Sequence, residues 1–169
     1  GGRSALPLVE KYDNLLVVQT FSKSRAMAGM RIGFCIGSEK AIRYLNDVKF
    51  SFNSYTMNLP AQILGAEAVR DDVYFRAITA RIVATRERVK RELKALGFTF
   101  PDSKANFIFA SHETIPAQQI FQALREVDIY VRYWNKPRIS DSLRITIGTE
   151  EEMDTLLAFL KDYVSKRRF

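Results

Sequence analysis

One cysteine, one histidine and one tryptophan are all that this 169-residue chain holds of those three types. The lone Cys35 excludes an intramolecular disulfide and fits a reducing compartment. Cys35 and His112 together are too few for a Cys/His metal site. No apolar run comes near the roughly 18 residues of a membrane span, and no basic-then-apolar leader opens the chain. Zinc-finger spacing, a recognition helix and an RNP-type aromatic strand are all missing, so the net charge of +7 has no nucleic-acid motif to serve. Much of the positive excess lies in Arg76 to Lys94 and in the tail Lys166-Arg167-Arg168, which reads as solvated helix surface. What is present, 47% hydrophobic and 27% charged residues, is the mixture of a folded globular chain. Its length suits one domain or one and a half small ones. Gly1-Gly2-Arg3-Ser4 reads as a loop cut from something longer.

Patterning predicts the following order. Ala5 to Tyr12 forms a short helix ending at the turn pair Asp13-Asn14. Leu15 to Gln19 is a buried strand, the segment around Lys23 a loop, and Arg31 to Ile36 the next strand, closed by Gly37. Ser38 caps a helix through Lys49, and Phe50 to Thr56 is a loop or extended connection. Asn58 caps a helix to Arg70 with Pro60 in its first turn. Asp71-Asp72 open a long helix to Leu96 that Gly97 ends. On that helix Ile78, Ile82, Val89, Leu93 and Leu96 form one apolar face, with arginines and lysines on the others. Phe98 to Phe100, Ala105 to Ala110, Tyr130 to Arg132 and Leu143 to Ile147 are strands. Pro116 to Val127 is an amphipathic helix, and Thr149 opens a last helix to Lys166. The second half is thus compact α+β, and the first looks like the end of a larger α/β sheet.

Chemistry concentrates around Lys23. It follows a strand and sits in a loop, where α/β proteins place reactive groups. A neutral lysine amine that reaches a carbonyl carbon forms an imine. Ser22, Ser24, Ala26, Ala28 and Gly29 leave room for a planar ligand. Thr20 and Ser22 supply hydroxyls, and Arg31, eight positions after the lysine, supplies a fork for a phosphate. Arg144 lies in Leu143-Arg144-Ile145-Thr146-Ile147-Gly148-Thr149, a strand whose arginine suits planar carboxylate recognition. Cys35, His112 and Trp134 have no motif around them.

The string from Thr20 to Gly33 resembles the lysine motif of the class I/II aminotransferases of fold-type-I pyridoxal-phosphate architecture. The resemblance implies that Lys23 holds pyridoxal 5'-phosphate as an imine, and that Thr20, Ser22 and Arg31 bind its phosphate. It implies that Arg144 grips the substrate α-carboxylate. Ser103-Lys104-Ala105-Asn106-Phe107-Ile108, Val131-Arg132 and the Arg144 strand are similar to the histidinol-phosphate branch of the family, where Arg132 would help bind a substrate phosphate. Asn106 would pin the backbone where its strand enters the site. The aromatic run Phe50 to Tyr55 would fill a subunit interface. The implied fold is α/β: residues 1–78 as the C-terminal part of the pyridoxal-phosphate large domain, then residues 79–169 as a small α+β domain, linked by the long helix.

The resemblance runs from about Arg3 to Val164 but reaches only the C-terminal part of the family's length. The aspartate for the pyridine nitrogen, the aromatic residue on the ring and the glycine-rich phosphate turn are expected upstream. Arg25 and Met27 stand where an aromatic residue and a leucine are more usual; Arg25 would pair with substrate or face solvent. The expected function is transamination of histidinol phosphate with a 2-oxo acid, 2-oxoglutarate, in histidine biosynthesis. The whole protein is expected to be a cytoplasmic homodimer that engages neither nucleic acid nor membrane. This chain alone would bind the cofactor weakly and turn over little. The alternatives are an aromatic aminotransferase or threonine-phosphate decarboxylase on the same scaffold, and a non-catalytic basic binding module.

Overall fold

The computed structural model describes residues 2–167, so Gly1 and Arg168 of the terminal segments above lie outside the described residues. The chain divides into two compact units, Gly1–Thr79 and Ala80–Phe169.

In the first unit β1 (Val17–Thr20) pairs antiparallel with β2 (Gly33–Ile36), Val17 opposite Ile36 and Thr20 opposite Gly33. Between them lie a single helical turn, α1 (Phe21–Ser24), and a 3-10 turn at Ala28–Met30. The loop expected around Lys23 is therefore partly helical. Arg31 has φ 57°, in the left-handed region, which cannot continue into a strand, so β2 starts later than expected. The expected burial of the first strand is not found: Val18 is 69% exposed, because β1 belongs to a two-stranded ribbon. Ala5 to Tyr12 yields only a 3-10 turn at Leu6–Leu8, for so short a helix lacks the length to hold itself.

Helix α2 (Glu39–Phe52) starts at Ser38, whose hydroxyl accepts from the Ala41 amide at 3.3 Å. It runs past the expected end, through Phe52, because Asn53 still donates its amide to the Lys49 carbonyl at 2.8 Å. Helix α3 (Leu59–Arg70) is capped by Asn58, which accepts from the Ala61 amide at 2.8 Å. Gly65 lies against the tip of the β1–β2 ribbon; a Cβ there would sit 2.8 Å from Ile32 Cδ1. Ile32 and Ala61 are the buried apolar side chains of this unit among the described residues. Helix α4 (Asp72–Ala95) then runs through the boundary of the two units.

The second unit is a four-stranded antiparallel sheet of order β3-β4-β6-β5, comprising β3 (Phe98–Thr99), β4 (Phe107–His112), β5 (Arg132–Tyr133) and β6 (Leu143–Thr146). Ile108, Ala110, Leu143 and Ile145 join Val89 and Leu93 of α4 in one core. Ile120 and Leu124 of α5 (Ala117–Arg125) and Leu156, Leu160 and Val164 of α6 (Glu150–Ser165) complete it. Burial of each such aliphatic chain contributes about 1.5–3 kcal/mol. Helix α6 begins with a capping box: Thr149 accepts from the Glu152 amide, and the Glu152 carboxylate accepts from the Thr149 amide. Strand β5 falls two residues later than the sequence pattern places it.

The reading of Arg76 to Lys94 as solvated surface is corrected in its second half. Arg86 is 2% exposed and Lys90 8%. Arg86 donates to the Ala105 carbonyl at 3.1 Å and, from two nitrogens, to Glu87. Lys90 donates to Glu87 at 2.9 Å and is also bonded to Asp102. Burying two cations is tolerable only because each is paired and hydrogen-bonded. Together they brace the turn that feeds β4. Arg88 joins Glu92 of its own helix to Glu150 and Asp154 of α6.

His112 closes the far end of α4. Its Nδ1 accepts from the amides of Thr114 and Ile115, so Nε2 carries the proton and donates to the Leu96 carbonyl at 2.9 Å. Gly97 passes beneath the ring with φ +87°; a Cβ there would lie 3.2 Å from Nε2. Gly97→Ala should therefore destabilise the chain by more than about 1 kcal/mol in urea unfolding. Asp102 offers a pH test. Hydrogen bonds from Lys90 and Lys104 hold its carboxyl at about 2, below the usual 3.8. A depressed carboxyl adds stability above its unfolded pKa and loses it as pH falls toward the folded one. Asp102→Asn should thus lower stability at neutral pH and flatten its decline between about pH 4 and 2.

Candidate functional site

The lysine segment is an excursion closed at its neck. Thr20 pairs with Gly33, and the Phe21 amide donates to the Ile32 carbonyl at 3.0 Å. Inside, the Phe21 carbonyl accepts from the amides of Arg25 and Met27. Thr20 is extended and acts as N-cap, its hydroxyl accepting from the Ser22 amide at 3.3 Å. Ser24 donates back to the Thr20 carbonyl at 3.0 Å. These local bonds fix α1 and set Lys23 on its exposed side. Among the described residues the Lys23 amine has no hydrogen-bond partner and no ion pair.

Arg31 completes the excursion. Its left-handed backbone turns the chain back toward β2, and one guanidinium nitrogen donates to the Ala28 carbonyl at 2.9 Å. The other donors of its fork have no partner among the described residues. No acidic residue occurs between Thr20 and Gly33, whereas Lys23, Arg25 and Arg31 are all cationic. Arg25 is the one already committed. It donates to the Ala68 carbonyl in α3 at 2.6 Å, and its guanidinium lies 3.7 Å from the centre of the Phe75 ring. The expectation that it faces solvent is not met: Arg25 anchors the excursion on α3 and on Phe75. The structure thus brings Thr20, Ser22, Lys23 and Arg31 onto one short, acid-free segment.

In the second unit Arg132 and Arg144 are direct partners across β5 and β6, and Phe109 is the partner of Arg144 across β4. Antiparallel partners share a face, so the three form one rung on the side of the sheet opposite the aliphatic core. Arg144 Nε is buried without a hydrogen-bond partner. Neither guanidinium has an ion pair among the described residues. An orphaned buried donor costs about 1–3 kcal/mol unless a ligand satisfies it. Trp134, two residues after Arg132, lies within cation–π range of both: 5.6 Å from its ring centre to the Arg132 guanidinium and 5.5 Å to that of Arg144. Sequence reading passed over Trp134, since only the register places it beside both arginines. Asn106 contributes its backbone, the carbonyl accepting from the Ile147 amide at 2.9 Å.

Residues 1–160 match the family described as aminotransferase class I and II. The chain belongs to that family. It is 53% identical over 167 residues to the histidinol-phosphate aminotransferase of Lactococcus lactis subsp. cremoris (strain SK11), covering 99% of this chain and 47% of that protein. The histidinol-phosphate aminotransferase from Clostridium acetobutylicum superposes with a TM-score of 0.86 at 26% identity, over 96% of this chain and 49% of that one. The enzyme of the same name from Sinorhizobium meliloti, in complex with pyridoxal-5'-phosphate, superposes with a TM-score of 0.79 at 23% identity, over 94% and 44%. The chain therefore spans about half the length of the relatives it matches, and the expected α/β architecture, part of the fold-type-I fold, is met.

Because Arg25 ties the excursion to α3 by a charged hydrogen bond and a ring contact, Arg25→Ala should destabilise the first unit by about 2 kcal/mol. Hydrogen exchange should then show faster opening of amides in residues 21–32, with those of the second unit unchanged.

Proposed function

We propose that this chain carries the lysine-bearing and substrate-gripping part of a pyridoxal-phosphate-dependent aminotransferase that acts on histidinol phosphate with 2-oxoglutarate as acceptor. The observation that carries the reading is the Lys23 amine, unpaired among the described residues, on an excursion closed by Thr20–Gly33 pairing, with Arg31 on the same excursion and no carboxylate along it. That donor set fits a phosphorylated aldehyde: one amine for the carbonyl, two hydroxyls and a guanidinium fork for the phosphate. When bound, pyridoxal phosphate supplies an electrophilic carbonyl and an electron-withdrawing ring.

The chain's own residues then have these roles. Lys23 holds the cofactor through Nζ. Thr20, Ser22 and the open donors of Arg31 hold its phosphate and fix its position. When not bonded to the cofactor, Lys23 Nζ would take the proton from the substrate α-carbon as general base and give it back as general acid. Arg144 presents its fork to a carboxylate, and its orphaned Nε gives that donor set a reason to await an anion. Arg132, its cross-strand partner, takes the substrate phosphate.

In the same reading the first unit is the C-terminal part of the cofactor-binding large domain and the second is the small domain. The exposed aromatic side chains Phe52 (91%) and Tyr55 (92%) are assigned to a homodimer interface of the whole protein. A biosynthetic role of this kind fits the cytoplasm, where the lone Cys35 stays reduced. The chain by itself would bind the cofactor weakly, since the groups expected upstream share the work of holding it.

The test uses the whole protein with histidinol phosphate, phenylalanine and threonine phosphate as rival substrates. Lys23→Ala should lower kcat for histidinol phosphate by more than about a thousandfold and remove the visible absorbance of the cofactor–lysine bond. Turnover of phenylalanine, or decarboxylation of threonine phosphate, in preference to histidinol phosphate would refute the substrate assignment. Unchanged turnover in Lys23→Ala would refute the mechanism.

A further inference from the structure

We infer that Trp134 is a positioning residue for Arg132 and Arg144, holding both guanidinium forks open for the anionic groups of the substrates, a phosphate at Arg132 and a carboxylate at Arg144. The inference rests on the substrate-binding reading of the two arginines and adds a third residue to it.

Two like charges stand directly opposite each other on β5 and β6, a destabilising arrangement in a sheet. Proteins ordinarily answer such a pair with a carboxylate, and among the described residues none is paired with either arginine. What lies beside both is one indole, its ring centre 5.6 Å from Arg132 and 5.5 Å from Arg144. Phe107 adds a second ring 5.7 Å from the Arg144 guanidinium.

The choice of an aromatic partner has a chemical consequence. A carboxylate would occupy the in-plane N–H donors of a guanidinium fork. A ring draws on the cation's charge through the quadrupole of its face and accepts none of those in-plane bonds. The arginines are thereby held while their forks stay open for a planar or tetrahedral anion. The buried, unpartnered Nε of Arg144 is the donor left over by this arrangement. Packing alone does not account for it. Trp134 is only half-buried and lies on the sheet side away from the aliphatic core. Pre-set forks lose less freedom on binding, so the ring should strengthen anion binding by preorganisation.

Trp134 is the single tryptophan of the chain, which makes the test specific. Growth on 5-fluoro-, 5,7-difluoro- or 5,6,7-trifluorotryptophan would label position 134 alone. Each fluorine weakens the ring's hold on a cation and barely alters its size. Binding of histidinol phosphate to the 169-residue chain would be followed by calorimetry and by the emission of the unmodified Trp134. The expected result is an emission change on binding and a stepwise loss of affinity with fluorination, reaching about tenfold for the trifluoro ring. Trp134→Tyr should retain most of the affinity, and Trp134→Leu should match or exceed the trifluoro loss. Affinity independent of fluorination would overturn the role of Trp134 while leaving the arginine assignment in place. Equal affinity of Arg132→Ala and the unmodified chain would remove the arginine assignment and this inference together.

Discussion

The antiparallel register of β4, β6 and β5 is the constraint from which the second unit follows. Alternation along β6 sends Leu143 and Ile145 to the helices and Arg144 to the other side. The same register aligns Phe109, Arg144 and Arg132 in one rung. A slip of a single residue would bury the guanidinium among aliphatic chains and expose the core side chains. The core that fixes this register is the one that α4, α5 and α6 share with the sheet. The position of two cations on an open sheet face is therefore determined by the packing of a hydrophobic core behind it.

The first unit is held by different means. Its buried apolar side chains among the described residues are Ile32 and Ala61, too few to contribute more than a few kcal/mol. Directional bonds do what burial does elsewhere: the Phe21–Ile32 backbone bond, the Thr20 cap, and Arg25 anchored on Ala68 and Phe75. Ile32 is the exception, an aliphatic plug admitted by the missing Cβ of Gly65. A segment fixed by hydrogen bonds at its neck can leave a side chain such as Lys23 unpaired among the described residues, which is what the proposed lysine nucleophile requires.

Features governed by neighbours in sequence were legible from sequence. Ser38, Asn58 and Thr149 cap the helices they were expected to cap, and Gly97 ends α4, because capping depends on three or four adjacent residues. The lysine segment was legible as a string of residue types, and the family match bears out the class to which that string belongs. Features governed by distant partners were not. The burial of Arg86 and Lys90 depends on Ala105 and Asp102, which periodicity along α4 does not reveal. Burial of Val18 is not met within this chain, since a valine-rich run says what a strand can bury, not what covers it. The role of Arg25 waits on α3, and that of Trp134 on the pairing of β5 with β6.

The positive charge of the chain takes on a different sense once its members are placed. Lys90, paired with Asp102, and Arg86, bonded to the Ala105 carbonyl, tie α4 to the turn before β4, and Arg88 ties it to α6. Arg25 is spent on a carbonyl and a ring. The cations with donors left open in the two candidate sites are Lys23 and Arg31 in the first unit, and Arg132 and Arg144 in the second. In each of these two groups the cations are backed by a hydrogen-bonded turn or an aromatic ring. Those two groups present guanidinium and ammonium donors at a spacing suited to small anions.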